Sequence, residues 1–190
     1  NDNAVLENHH AALTFQILRN NSTNIFQNMN EDTYKAVRKL MISCILDTEM
    51  TRHFNIISSL TERFKDKEES PLGTVEQDYE KLAGFLVHCG DLSHPAKEFN
   101  LFSKWSRLVC EEFSRQYNEE LKQNLPVSEF MKNLEEPVYY FKNEIGFVSV
   151  LIKPLWECLN LWLRPHLNQC MQNIDKNIEE YKKRVEELEG

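Results

Sequence analysis

Glycine and proline are scarce in this chain of 190 residues, which has 5 Gly and 6 Pro. Because these residues break helices and mark tight turns, their scarcity favours long helices over many short strands. No stretch shows the strict alternation of apolar and polar residues that is typical of strands. Leu6, His10, Leu13 and Ile17 instead follow one another at spacings of four, three and four, which is helical periodicity. The sequence therefore predicts an all-α protein.

Basic residues are also in deficit, because 22 Lys and Arg face 30 Asp and Glu and give a net charge of −8. A chain this acidic repels a nucleic-acid backbone unless it carries a local basic stripe, and the sequence shows none. We therefore expect no nucleic acid as a partner. An anionic ligand would need a local positive charge, which a bound metal ion can supply.

Long apolar runs and paired cysteines are absent as well. The 5 cysteines are odd in number and include no CxxC pair, which favours a reducing compartment over a disulfide framework. No apolar run approaches the roughly 18 residues that a membrane-spanning helix needs, and no signal peptide is visible. We expect a cytoplasmic chain without a membrane segment. Its 41% hydrophobic residues suffice for a sizeable core.

Apolar periodicity places the helices. It predicts helices over 4–19, over 32–64 with a bend near 47–49, over 75–90, around 105–113, over 144–163 with a kink at Pro154, and over 171–188. Residues 65–73 are predicted to form a charged loop, and 125–142 is the least regular stretch. The last helix has near-heptad spacing, so we expect it to pack on its own domain, with pairing to another chain as the alternative.

Glu7 and His10 lie three residues apart on a predicted helix and therefore share a face. A carboxylate beside an imidazole can tune the pKa of the imidazole or orient a proton donor. Such a pair of residues is more often an ordinary ion pair on the protein surface. The same spacing occurs in helical di-iron proteins, but those need a second copy on another helix, and this sequence has none.

Asp91 lies where a predicted helix ends, between His88 and His94 and shortly before Pro95. A carboxylate at a helix junction can reach a cavity, and it suits Zn²⁺, Mg²⁺ or Mn²⁺. Taken alone, such an aspartate is more often a helix cap or a turn residue. One carboxylate does not make a metal site.

Trp105, Val109 and Phe113 form one row of a predicted helix and, with Phe147, could line a flat apolar slot for a planar ring. Core packing is the usual explanation of an aromatic stripe. Glu144 enters the apolar run that contains Phe147. It is either a group that reads a purine edge or an acid stabilised at a helix amino terminus by the helix dipole.

Four ordered motifs resemble those of the class I cyclic-nucleotide phosphodiesterases. The amino-terminal run NDNAVLENHHAA resembles the V-L-E-N-H-H signature, and Asp91 to Pro95 (DLSHP) resembles the D-(L/I)-S-x-P element. Trp105 to Phe113 (WSRLVCEEF) resembles the family's W-x-x-x-(I/V/L)-x-E-E-(F/Y) helix. The fourth motif of the family is Q-(V/I)-G-F followed by P-(L/I/M)-(W/F/Y)-E, and it is matched by EIGF at 144–147 followed by PLWE at 154–157. Order and spacing agree over residues 1–165.

The resemblance implies a multi-helix bundle around a binuclear metal cleft, with Zn²⁺ beside Mg²⁺ or Mn²⁺. The implied reaction is attack of a metal-bound hydroxide on cAMP and/or cGMP, which gives the 5′-monophosphate. Asp91 is implied as the zinc ligand, and Glu7 as the acid that orients the histidine protonating the leaving 3′ oxygen. His10 and Thr48 are implied as groups around the metals and their waters.

The resemblance also implies a nucleotide pocket in which Val109 and Phe147 sandwich the purine. The implied pocket residues are Leu92, His94, Val109, Phe113, Glu144 and Phe147. A mobile loop beside the pocket is implied at 126–142, and 168–190 is expected to be the carboxyl-terminal helix.

The family's remaining metal ligands, two histidines and an aspartate, come from a segment upstream of the V-L-E-N-H-H helix that this sequence does not contain. We therefore expect residues 1–190 to be the carboxyl-terminal part of one catalytic domain, with its amino-terminal helices missing and no activity in isolation. A degenerate, non-catalytic helical interaction module is the alternative, and another metal phosphohydrolase of the H-D class is a second. A homodimer through the last helix also stays open.

Glu144 departs from the family, which has a glutamine there. A glutamine amide both donates and accepts a hydrogen bond, whereas an ionised glutamate only accepts. An unpaired buried acceptor costs on the order of 1–3 kcal/mol. We therefore expect weakened nucleotide affinity unless Glu144 is protonated.

Overall fold

The structure is a computed structural model that describes residues 2–65 and 75–190. Within these residues the regular structure is helical and contains no strand, which confirms the all-α prediction. Most of the charged loop predicted at 65–73 lies outside the described residues, and only its first residue belongs to a described helix.

The chain divides into two compact units, Asn1–Asp91 and Leu92–Gly190. Unit 1 contains α1 (Val5–Leu18), α2 (Glu31–Leu46), α3 (His53–Lys65) and α4 (Val75–Asp91). Unit 2 contains α5 (Phe99–Lys122), α6 (Pro137–Phe147), α7 (Lys153–Leu163) and α8 (Asn168–Glu189). Short 3₁₀ turns occur at Met50–Arg52, His94–Ala96 and Glu129–Met131.

In unit 1, α2 packs against α1 and α4. The helical region predicted over 32–64 consists of two helices, because the chain leaves the helical path between α2 and α3. The predicted bend at 47–49 is therefore a full break, which an ion pair of 2.7 Å between Asp47 and Arg52 spans. Asn30 caps the start of α2, since its side chain accepts a hydrogen bond from the Thr33 amide.

In unit 2, α8 packs against α5, α6 and α7 and buries Ile174, Ile178 and Tyr181. The periodic tail thus covers its own unit, as we expected from the sequence. The loop predicted at 126–142 is shorter than expected, because α6 begins at Pro137. Proline is well tolerated at the start of a helix, where its missing amide proton would have no partner.

Between α6 and α7 the chain continues as a π-helical segment, Val148–Ile152. Pro154 follows it in the first turn of α7. Because proline has no amide proton to donate to the preceding turn, the regular hydrogen-bond ladder is interrupted here, and a widened turn accommodates the interruption. The irregularity predicted at Pro154 is therefore present, and it lies just upstream of the proline.

The helical stretch Pro137–Leu163 is long and apolar enough, by length and composition alone, to cross a membrane. Helices in the cores of soluble proteins pass the same test, and Val148, Ile152 and Leu155 of this stretch are buried inside unit 2. The expectation that the chain has no membrane segment stays a prediction.

Candidate active site

Asp91 is the last residue of α4, and two groups of α1 act on its carboxyl. Partial burial of the carboxyl raises the pKa of Asp91, the charge of His10 lowers it, and the Glu7 carboxylate raises it again. The residue as a whole is nevertheless exposed. Since such charge effects require proximity, the structure brings Glu7, His10 and Asp91 into one electrostatic neighbourhood of unit 1.

Thr48 follows the end of α2 and is half-buried. Its hydroxyl donates a hydrogen bond of 2.7 Å to the carbonyl of Ile45, so the side chain helps to end that helix. The role implied for Thr48 beside the metals stays a prediction.

The described residues do not form a metal site on their own. Among residues 2–65 and 75–190, no group of three or more His, Cys, Asp or Glu side chains is arranged to hold a metal ion. Catalytic zinc needs about three protein ligands. Asp91 alone therefore cannot hold the implied pair of metals.

A buried histidine pair connects α3 and α4. Nδ1 of His53 lies 2.8 Å from Nε2 of His88, and neither residue is exposed to solvent. Burial, with a smaller contribution from His53, lowers the pKa of His88 to about 4, so His88 is neutral near pH 7. Sequence analysis missed this pair, because no local pattern links positions 35 residues apart.

In unit 2, the ring of His94 lies nearly parallel to that of Phe147, with 15° between the planes and 6.1 Å between the centroids. Phe102 has the same relation to His94. Burial, with a smaller contribution from the charge of Lys97, lowers the pKa of His94 to about 4. The structure thus brings together two residues predicted for the nucleotide pocket and makes the imidazole neutral.

The other predicted pocket residues lie on or near α5. Leu92, Val109 and Phe113 are half-buried, whereas Trp105 is 52% exposed and does not belong to the core. Phe113 meets Phe130 edge to face, with 5.5 Å between the centroids. Since Phe130 lies in the shortened loop, that loop contacts a predicted pocket residue.

Glu144 lies near the carboxyl end of α6 and is only 3% exposed. The alternative that it is an acid at a helix amino terminus is therefore wrong. Its Oε1 accepts a hydrogen bond of 3.5 Å from the Cys110 thiol, and its buried Oε2 has no hydrogen-bond partner among the described residues. Burial raises the pKa of Glu144, and hydrogen bonds from Ser106 and Cys110 offset only part of that rise. The site favours the neutral acid.

Three hydroxyl groups form a buried cluster close to Glu144. The Tyr140 hydroxyl lies 2.6 Å from Ser106 Oγ and 2.7 Å from the Tyr181 hydroxyl. Burial raises the pKa of both tyrosines, so both stay neutral. The sequence motifs did not reveal this cluster. The available signal was Ser106, a polar residue in the row of α5 that also contains Phe102 and Cys110.

Two asparagines of α8 hold the turn that carries His94. The Asn177 amide donates to the carbonyls of Pro95 and Lys97 at 2.9 Å each, and Asn173 donates to the carbonyl of Ala96 at 3.0 Å. Asn177 is 1% exposed. Sequence analysis overlooked both residues because it treated the tail as generic. The available signal in the sequence was the polar Asn177 next to the apolar Ile178, on the face of the helix that is buried.

The chain resembles known proteins over most of its length. The family model described as 3′5′-cyclic nucleotide phosphodiesterase matches residues 1–174. The match covers most of the chain, so the chain belongs to the 3′5′-cyclic nucleotide phosphodiesterase family. Family membership confirms the resemblance inferred from the four sequence motifs.

Individual relatives agree with the family match. The rat 3′,5′-cyclic-AMP phosphodiesterase 4C is 31% identical over 189 residues, which are 97% of this chain and 35% of that protein. Isoform F of the 3′,5′-cyclic-AMP phosphodiesterase of Drosophila melanogaster is 29% identical, over 97% of this chain and 28% of that protein. The chain therefore spans about a third of the length of these curated relatives.

Solved structures share the fold. The phosphodiesterase domain of the RhoPDE fusion protein from the choanoflagellate Salpingoeca rosetta matches with a TM-score of 0.91 and 33% identity, over 99% of this chain and 59% of that one. The structure of LmjPDEB1 in complex with IBMX matches with a TM-score of 0.85 and 22% identity, over 96% of this chain and 53% of that one. The second likeness supports the fold alone.

Proposed function

We propose that this chain is part of an enzyme that hydrolyses cAMP and/or cGMP to the 5′-monophosphate. The family match over residues 1–174 supports this proposal. At the site, the observation that carries it is the electrostatic coupling of Glu7 and His10 to Asp91. These residues come from two separate motifs, and a chance resemblance would give no reason for them to be neighbours in the fold.

Asp91 would contribute one carboxylate to a centre of two divalent metals, Zn²⁺ beside Mg²⁺ or Mn²⁺. The remaining ligands would have to come from outside the described residues, because one carboxylate holds no such centre. Glu7 would orient the histidine that protonates the leaving oxygen, and His10 and Thr48 would position waters near the metals. On this proposal, residues 1–190 without their partner segment are inactive.

The base of the nucleotide would lie against aromatic rings of unit 2. A planar ring stacks on Phe147, whose neighbour His94 is neutral and therefore adds no charge to this apolar surface. Val109 would cover the opposite face of the base, and Leu92 and Phe113 would border the slot.

Glu144 would read the purine edge as a protonated acid. A neutral carboxyl has one donor and one acceptor, as the edge of a glutamine amide does, so it can pair with adenine or with guanine. The buried position and the raised pKa of Glu144 favour this form. Because Oε2 is buried and unpaired, the side chain would turn towards the base when the nucleotide binds. On this proposal the loss of affinity expected for a glutamate is confined to pH values at which Glu144 ionises.

A substrate panel on the full-length protein tests the proposal. We expect hydrolysis of cAMP, cGMP or both, and slow or no hydrolysis of bis(p-nitrophenyl) phosphate, which has no purine. Preference for the synthetic diester would instead favour another metal phosphohydrolase of the H-D class. Absence of hydrolysis with every substrate, in the presence of Zn²⁺ and Mg²⁺, would favour the non-catalytic interaction module.

We also propose a cytoplasmic location and a mobile loop in the part of 126–142 that precedes α6, and we keep a homodimer through α8 as the alternative to a monomer. Loop mobility is measurable by hydrogen exchange. Light scattering of the full-length protein measures the oligomeric state, and a monomer would contradict the homodimer.

A further inference from the structure

Unit 2 contains a cavity that none of the predicted pocket residues lines. It lies between α5, α6 and α8 and has a volume of about 530 Å³. Pockets for small molecules range over about 300–1,000 Å³. Three cations and four aromatic residues contribute to its wall: Lys104, Arg107, Arg184, Phe99, Tyr140, Phe141 and Tyr181.

The charge of this cavity opposes that of the chain. None of the described residues that line it is acidic, although the chain carries a net charge of −8. Arg184 lies 3.4 Å from Glu180, which is outside the lining. In the part of the chain that the structure describes, Lys104 and Arg107 have no carboxylate partner. The positive charges of Lys104 and Arg107 at the cavity are therefore not neutralised by an ion pair with a described residue.

Arg184 is held in the wall by two aromatic rings. Its guanidinium carbon lies 4.9 Å from the centroid of Phe99 and 5.9 Å from that of Phe141. These distances are within the range of cation–π contacts. Its Nε is buried and donates no hydrogen bond to any described residue. The two ring contacts thus fix the position of the Arg184 charge beside the cavity.

The hydroxyls of the tyrosines are not available to a ligand, since Tyr140 and Tyr181 bond to each other and to Ser106 in the interior. The rings of the tyrosines are also buried, so the ring surface that a ligand can reach belongs to Phe99 and Phe141. Rings next to cations suit a ligand that carries a planar ring and an anionic group. The concave shape suits a small molecule, and the net charge of the chain disfavours a nucleic acid.

We propose that this cavity binds a small phosphate-bearing molecule with a planar ring, of the class of nucleoside monophosphates. The phosphate would accept hydrogen bonds from Lys104 and Arg107, and the ring would pack against Phe99 and Phe141 beside Arg184. The proposal does not depend on hydrolysis by this protein, because the cavity shares no residue with the proposed base slot.

Isothermal titration of the full-length protein with inorganic phosphate and with AMP tests this inference. Both ligands should bind, and AMP should bind more tightly because it also fills the aromatic wall. The double variant Lys104→Gln, Arg107→Gln should lower the affinity for AMP by about tenfold or more. Both side chains are exposed, so we expect no change in the thermal midpoint of unfolding.

The matched control is the double variant Arg115→Gln, Lys122→Gln, which removes the same charge from exposed positions of the same helix outside the cavity. It should leave the affinity unchanged. A Phe147→Ala variant separates the two sites, because binding in the cavity should survive it. The inference is wrong if neither ligand binds, if the control loses as much affinity as the cavity variant, or if Phe147→Ala abolishes AMP binding.

Discussion

At the scale of single residues, burial decides the protonation of one titratable group in unit 1 and of two in unit 2. His88 and His94 are neutral and Glu144 favours its acid form for the same reason, the loss of water around a charge. In all three groups, burial therefore favours the uncharged form of the side chain. Each of them gives a pH dependence with a defined sign.

His88 should make the protein less stable in mild acid. Its pKa is about 4 in the folded state against 6.5 for an ordinary histidine, so between these values the unfolded chain binds a proton that the folded chain does not. The contribution is fully present above pH 6.5 and is lost as the pH falls towards 4. It amounts to at most about 3 kcal/mol.

Chemical denaturation at several pH values across this window measures the effect. A His88→Gln variant should show a weaker fall in the free energy of unfolding than the wild type, with the part due to His94 remaining. The exposed His9→Gln serves as the control. An identical pH dependence in wild type and His88→Gln would show that the buried pair has no such role.

Glu144 should give nucleotide affinity the opposite dependence. Since burial raises its pKa, the acid that both donates and accepts is present at low pH and is lost as the pH rises through that pKa. We expect the KM for the cyclic nucleotide to rise with pH in the wild type and to stay flat in Glu144→Gln. The exposed Glu187→Gln should behave as the wild type. Superimposable KM profiles for wild type and Glu144→Gln would contradict a proton on this side chain.

At the scale of helices, α2 and α4 of unit 1 approach so closely that one glycine is required. A Cβ added at Gly84 would clash with Asp47 Oδ2 and would lie 3.0 Å from Asp47 Cβ. The clash involves the whole short side chain, which the ion pair with Arg52 also holds in place. Gly84→Ala should therefore lower the free energy of unfolding by about 1–3 kcal/mol.

Gly90 provides the matched control in the same helix, because a Cβ there meets no atom within 4 Å. Gly90→Ala should be neutral or stabilise the protein by up to about 1 kcal/mol. Chemical denaturation compares the two variants. Equal changes in the free energy of unfolding for both substitutions would show that the space between Gly84 and Asp47 accommodates a methyl group.

In unit 2, α8 should control the site through Asn177. Asn177→Ala removes the donor from two carbonyls of the turn that carries His94, which should cost about 1–3 kcal/mol of stability. Loosening that turn should also raise the KM for the nucleotide. Gln172→Ala, exposed on the same helix, should change neither quantity. A loss of stability with an unchanged KM would mean that α8 supports the fold without positioning His94.

At the scale of the whole molecule, the sequence predicted the helices and the family better than the site. Periodicity identifies buried faces such as that of Ile174 and Ile178, and four ordered motifs identify the family. The sequence predicted a bend at 47–49 but not a full break, because the apolar pattern continues through these residues. Contacts between distant positions, such as His53 with His88 or Asn177 with Pro95, leave no local pattern in the sequence.

The central claim concerns Asp91. This residue begins one of the family motifs, is the last residue of α4 and is affected by the charges of Glu7 and His10 in α1. The most direct test is the rate of cyclic-nucleotide hydrolysis by the full-length protein with Asp91 changed to Asn. The side chain is exposed, so the fold should persist, and we predict that kcat falls by at least about 100-fold. An Asp91→Asn variant that hydrolyses the cyclic nucleotide at the wild-type rate would contradict the account.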